Sequence, residues 1–339
     1  MNGVRQTGME TNKIVTSGFL LLAAVALLQL AGGTRAFAGG RQQVEADTGS
    51  RAVIEVFASI QPQAYFLERI GGERVHTDVL VKPGQDPHTF EPTPQQMARL
   101  AEARLFFRIG IEFENTLMPS IESTMKQLEV VDCREGIAVR RMQAYGHPES
   151  GLAERGGEEN GHDEHDRQEE HETGDEREGS DPHVWLSVRN AMRIADTMRD
   201  ALIRIDPPGR DFYIRSHKEL VQELEELDHR IAGILEPVAG KRFFVFHPSF
   251  GYFADDYGLE QHAVEIGGSE PSARQLAYLI REAREEGVRV IFVQPQFSRK
   301  SAETIAAEID GAVVPIDPLA RDYVENLERM ALAVEEGLR

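Results

Sequence analysis

Cysteine is almost missing from this 339-residue chain: Cys133 is the only one. That excludes an internal disulfide, a cysteine zinc ribbon and an iron–sulfur cluster held by this chain alone. Positive charge is also scarce. Lysine and arginine number 37 against 57 aspartates and glutamates, for a formal net charge of −20. No basic stripe offsets that balance, so the chain repels phosphate backbones and nucleic-acid binding is not expected. Beyond the first forty residues no apolar run is long enough to span a membrane, which takes about 20 residues. There is no Gly-x-Ser-x-Gly elbow around Ser249, no His-Glu-x-x-His helix and no phosphate-binding loop. Cys133 ends an apolar run with no histidine near it in sequence and reads as a buried small hydrophobe.

The N-terminus carries the first positive signal. Lys13 precedes an uncharged stretch over residues 14–33 with the apolar centre GFLLLAAVALL, and Ala36-x-Ala38 fits a signal-peptidase site. Residues 1–38 therefore read as a secretory signal, and the mature chain as a soluble, most simply periplasmic, protein. An uncleaved membrane anchor is the alternative reading. No lipobox cysteine stands near the site to be acylated.

From residue 52 onward, short β-branched and aromatic runs alternate with helical patterns, which predicts parallel sheets covered by helices. Strands are expected over 52–59, 75–81, 105–109 and 128–132, with helices over 61–70 and 94–103. The alternation resumes after residue 239, with strands over 242–246, 261–266, 288–293 and 312–316. Helices fall between them, and a closing helix follows residue 321. Between the two halves, Leu220, Leu224, Leu227, Ile231 and Leu235 mark one stripe of a helix from Gly209 to about Glu236. At about 1.5 Å per residue it spans roughly 42 Å, long enough to run along two domains. The predicted fold is α/β: two lobes with parallel sheets, joined by a single long backbone helix. The expected organisation is an N-terminal lobe over 39–206, a linking helix over 207–238 and a C-terminal lobe over 239–339.

Residues 146–181 break the pattern. They hold fourteen acidic residues, three arginines, four histidines and seven glycines, and about half of the chain's formal charge. Such a composition cannot offset its ordering entropy, so this insert in the N-terminal lobe is expected to be disordered. His162-x-x-His165, with His147 and His171, would bind divalent cations loosely; a plain solvated segment is the competing reading.

Four other short segments share a form in which a strand ends and a His or Asp lies beside proline. They are Asp86-Pro87-His88, Asp181-Pro182-His183, His247-Pro248 and Asp317-Pro318. In parallel sheets the ligand crevice lies at the carboxyl ends of the strands, and proline stiffens each turn. Three imidazoles and a carboxylate suit tetrahedral zinc. Taken singly, His88 and His183 also read as capping or surface residues, His247 as a core histidine and Asp317 as a helix cap. Spacing alone leaves both readings open. His76, His217, His229 and His262 are scattered and read as structural.

The phrases VLVKPGQDPHTFEPTPQQM, DPHVWLSVRNA, FVFHPSFGYFADDYGL, GGSEPSARQL, VIFVQPQFSRKSAE and VVPIDPLA follow one another in this order, and the likeness they carry runs over nearly all of the mature chain, about residues 54–338. In them the chain resembles the solute-binding proteins of ABC transporters for zinc and manganese, and most closely the zinc-uptake branch. The resemblance implies a metal in the cleft between the lobes, held by His88, His183, His247 and Asp317. It also implies a histidine- and acid-rich loop between the first two. The implied partners are an inner-membrane permease and its cytoplasmic ATPase, and the chain is expected to act as a monomer. Manganese members place a carboxylate where His247 stands, so Zn²⁺ is the expected cargo and Mn²⁺ the runner-up. Many relatives have Glu where this chain has Gln294, which leaves Asp317 as the expected acid. Some zinc members carry a disulfide in the second lobe, which one cysteine cannot form. Two readings compete: a metal-dependent adhesin, and a zinc hydrolase in which Glu265 or Glu270 would serve as base, although nothing in the sequence sets either beside the metal.

Overall fold

The computed structural model describes residues 53–142, 179–265, 272–297 and 299–339. The expected signal peptide, most of the acidic insert with His147, His162, His165 and His171, and Glu270 lie outside the described residues. All described residues belong to the compact unit Ser50–Arg339.

The N-terminal lobe is built from β1 (Ile54–Ala58), α1 (Gln61–Gly71), β2 (Val75–Val79), α2 (Pro94–Glu102), β3 (Leu105–Arg108), α3 (Glu112–Thr124) and β4 (Glu129–Asp132). The β-branched and aromatic residues of these strands pair in parallel, in the order β2-β1-β3-β4, with Val56 opposite Leu105 and Leu105 opposite Glu129. α2 starts where Thr93 caps the Gln96 N–H and Pro94 occupies the first turn, a position that needs no N–H of its own. The predicted elements agree with these to within a few residues, except that the sequence pattern gave no helix over α3. Pro119 lies inside that helix and its buried face includes Glu114, so its apolar period is broken. Glu114 is fully enclosed, accepting from Ser59 Oγ and from the Ile109 and Gly110 N–H groups.

α4 (Val188–Ile205) and α5 (Arg210–Leu235) connect this lobe to the next. Val184–Leu186 forms a 3₁₀ turn before α4, because Ser187 is extended and caps the Asn190 N–H. Pro207–Gly209 forms a second 3₁₀ turn before α5. The stripe Leu220, Leu224, Leu227, Ile231 and Leu235 is wholly buried.

The C-terminal lobe repeats the plan with β5 (Arg242–Val245), α6 (Gly251–Tyr257), β6 (Glu260–Ala263), α7 (Ala273–Glu285), β7 (Val290–Val293), α8 (Lys300–Glu308), β8 (Ala312–Pro315) and α9 (Tyr323–Leu338). Its sheet is also parallel, in the order β6-β5-β7-β8. One apolar core runs from the N-terminal sheet through α4 and α5 to α9, and a smaller one fills the outer C-terminal lobe. Polar ties close the contact between lobes. Trp185 Nε1 donates to the Pro318 carbonyl at 2.8 Å, and Tyr323 Oη donates to the Trp185 carbonyl at 2.6 Å. Among the described residues no helix is long and apolar enough to cross a membrane.

Candidate metal centre

In each parallel sheet the strand order switches sides between the first and third strands of the lobe, and the crevice past those strand ends is where α/β folds bind ligands. His88 follows β2, His183 precedes α4, His247 follows β5, and Asp317 follows β8. The Asp-Pro repeats have a common geometry. Asp86 Oδ1 accepts the His88 N–H at 2.9 Å, Asp181 Oδ1 the His183 N–H at 3.0 Å, and Asp317 Oδ1 the Leu319 N–H at 3.0 Å. In each, the carboxylate closes a turn over a proline that has no N–H to satisfy.

His88, His183 and His247 come together with one nitrogen of each within 4.8 Å of the others. His183 Nε2 and His247 Nε2 face each other at 3.4 Å. Each ring has its Nδ1 against a carboxylate: His88 against Glu112 Oε2 at 3.0 Å, His183 against Asp181 Oδ1 at 2.8 Å, and His247 against Glu265 Oε2 at 2.8 Å. A carboxylate accepts and does not donate, so each Nδ1 carries the hydrogen and each Nε2 presents a lone pair. Two lone pairs at 3.4 Å repel unless a cation lies between them. Tetrahedral zinc, with Zn–N near 2.0–2.1 Å, sets its nitrogens about 3.3 Å apart. The cavity among the rings is about 10 Å³, bordered also by Trp185, Phe297 and Leu319. That is about the space one water or one ion needs.

The rings differ in exposure. The His88 side chain is 21% exposed, His183 3% and His247 8%. Burial pulls the His88 pKa down, but the hydrogen bond and charge of Glu112 outweigh it and hold the imidazole above its ordinary value. The same bond lowers Glu112 to about 2. For His183 burial prevails over Asp181 and lowers the imidazole to about 4, so it is neutral at physiological pH.

His247 is fixed on several sides. Phe297 stacks on its ring at 4.6 Å and 19°. Gln294, fully buried, accepts the His247 N–H at 3.1 Å and donates to the His247 carbonyl at 2.7 Å and to Ser249 Oγ at 3.1 Å. A carboxylate in place of this amide would lose the bond donated to the His247 carbonyl, a physical reason for Gln at that position.

Asp317, the fourth expected residue, stands apart from the three histidines. Its Oδ1 also accepts Gln296 Nε2 at 2.8 Å, which leaves Oδ2 as the atom with ligating capacity. Sequence reasoning missed the carboxylates behind the rings. Glu112 and Glu265 lie 24 and 18 positions from their histidines, and no local motif marks them. Glu265, considered above only as a base remote from the metal, touches His247. It does so at Nδ1, which points away from the cavity, so it is not placed to deprotonate a water there. Cys133 is fully buried beside Gln63, with its thiol pushed up by desolvation. His76, His217 and His262 pair with Glu55, Asp196 and Glu282 outside this cluster.

Comparison with known proteins gives the family. Residues 56–337 match the family model described as zinc-uptake complex component A, periplasmic. The chain is 32% identical over 302 residues to the high-affinity zinc uptake system protein ZnuA of Bacillus subtilis (strain 168), covering 86% of this chain and 85% of the relative. A crystal structure of ZnuA superposes with a TM-score of 0.73 at 36% identity, over 85% of this chain and all of that one. The periplasmic zinc-binding protein TroA of Treponema pallidum gives 0.70 at 19% identity, over 85% of this chain and 99% of that one, a likeness of fold alone. The chain belongs to the family of zinc-uptake complex component A, the periplasmic component.

Proposed function

We propose that this protein captures Zn²⁺ outside the cytoplasm and delivers it to an ABC-type permease with a cytoplasmic ATPase. The observation that carries the reading is the pair of Nε2 lone pairs facing at 3.4 Å, each ring backed by its own carboxylate. His88, His183 and His247 are the nitrogen ligands. Asp317 supplies the fourth position through Oδ2. Zinc is cargo here. Three imidazoles and one carboxylate close a tetrahedral site, whereas a catalytic site keeps a position open for water. Nitrogen donors favour zinc over oxygen-preferring Mn²⁺. The family and the apolar, cleavable-looking N-terminus support a periplasmic location.

The carboxylates behind the rings make the imidazoles better donors and keep their protons on the outer nitrogen. The interlobe bonds of Trp185 and Tyr323 favour release by local movement at the cleft over wide separation of the lobes. His88, the most exposed ring, is then the natural first ligand to let go.

His247→Ala tests the ligand set. Competition against a chelating dye should show the tight site lost; wild-type affinity in this variant contradicts the assignment. The acidic insert would gather zinc at low affinity and pass it to the tight site. Deleting residues 146–180 should remove weak sites in calorimetry and spare the tight one; unchanged stoichiometry would make the insert a linker.

A further inference from the structure

Arg140 has no part in the site as described so far, yet it joins the two lobes behind His183. It lies next to the antiparallel bridge between Arg141 and Ser180, and its carbonyl accepts the Asp181 N–H at 2.9 Å. Its own N–H donates to Tyr252 Oη on α6 at 3.0 Å, and Tyr252 Oη donates to the Asp181 carbonyl at 3.2 Å. The guanidinium lies 5.7 Å from the Tyr252 ring centre, a cation–π contact. Its Nη1 is 3.4 Å from Asp181 Oδ2 and its Nε 3.2 Å from Asp255 Oδ2. One arginine of the N-terminal lobe thus bridges the carboxylate behind His183 and a carboxylate of the C-terminal lobe.

The guanidinium lies against Gly251, the first residue of α6. Asp181 is 1% exposed, so its charge needs a partner. Its Oδ1 already takes both the N–H and the Nδ1–H of His183, and Arg140 engages the other oxygen. With the guanidinium in place, Asp181 remains an acceptor of fixed direction. Without it, the carboxylate is free to turn toward water, and the ring it steers turns with it.

We propose that Arg140 is a positioning residue that acts through Asp181 on His183, and that its span to Asp255 makes zinc retention depend on the contact between the lobes. The inference rests on the zinc reading given above. It concerns the rate at which the ion leaves, because His183 is the most deeply buried of the three rings.

The test uses the mature chain loaded with Zn²⁺ or Co²⁺. Arg140→Ala should release Zn²⁺ to excess chelator at least about tenfold faster than wild type, the size expected for loss of an outer-shell partner. It should also shift the Co²⁺ d–d absorption. Arg140→Lys should restore the Co²⁺ spectrum in large part, since an ammonium can serve Asp181 but not both carboxylates in a planar fork. Wild-type release with an unchanged spectrum in Arg140→Ala overturns the proposal. If that variant does not fold, Asp255→Asn decides, because Asp255 is 61% exposed and its removal cuts only the interlobe end. Faster release supports the bridge and an unchanged rate overturns it. A wild-type chain that holds no zinc overturns the underlying zinc reading, an outcome separate from any difference between wild type and variant.

Discussion

At the scale of single residues, proton and metal compete for the same nitrogens, and the carboxylates decide the terms. Glu112 holds the His88 pKa above its ordinary value of 6.5, so zinc must displace a proton there as pH falls toward that range. Glu112→Gln should move the acid limb of zinc binding to lower pH, read by competition titration from pH 5 to 8; an unmoved limb contradicts the pairing. The opposite sign applies to His183. Its folded value of about 4 lies below the unfolded one, so the unfolded chain takes the proton first. The metal-free protein should lose stability as pH drops from about 6.5 to 4, and His183→Gln should lose less over that window in thermal melts. Glu265→Gln should cost about 10–100-fold in zinc affinity while leaving the fold intact. Three histidines were legible because Asp-Pro-His and His-Pro are local turn chemistry. Glu112 and Glu265 were not, because folding brings them to the rings from distant turns and in sequence they look like any solvated glutamate.

Among the elements, α5 shows what periodicity can carry. Its five buried aliphatics recur at helical spacing, and α1, α4 and α9 pack along it. Leu227→Ala should cost about 2–5 kcal/mol, since it removes a large side chain from a site with no water contact. A denaturant midpoint should fall accordingly, with one zinc per folded chain retained; loss of the site without loss of stability would contradict a purely packing role. The strands were legible from their β-branched and aromatic runs, and the sheet class followed from their alternation with helices. α3 was not, because Pro119 and the enclosed Glu114 interrupt its apolar face. The order β2-β1-β3-β4 in one lobe and its counterpart in the other depends on long-range pairing that no local pattern records.

For the molecule as a whole, the proposed ligands are two histidines from one lobe and one histidine and an aspartate from the other, so bound zinc would tie the lobes together. A ligand that binds only the folded state raises stability by about 4 kcal/mol at a thousandfold excess over Kd. Zinc should therefore raise the melting temperature of the wild-type chain clearly and that of His247→Ala little. The most direct test of the account is the metal content of the chain over residues 39–339, followed by competition titration with Zn²⁺ and Mn²⁺. The account predicts one tightly held Zn²⁺ per chain, resistant to excess Mn²⁺ and lost in His247→Ala. A preference for Mn²⁺, or zinc held only by residues 146–181, would contradict it.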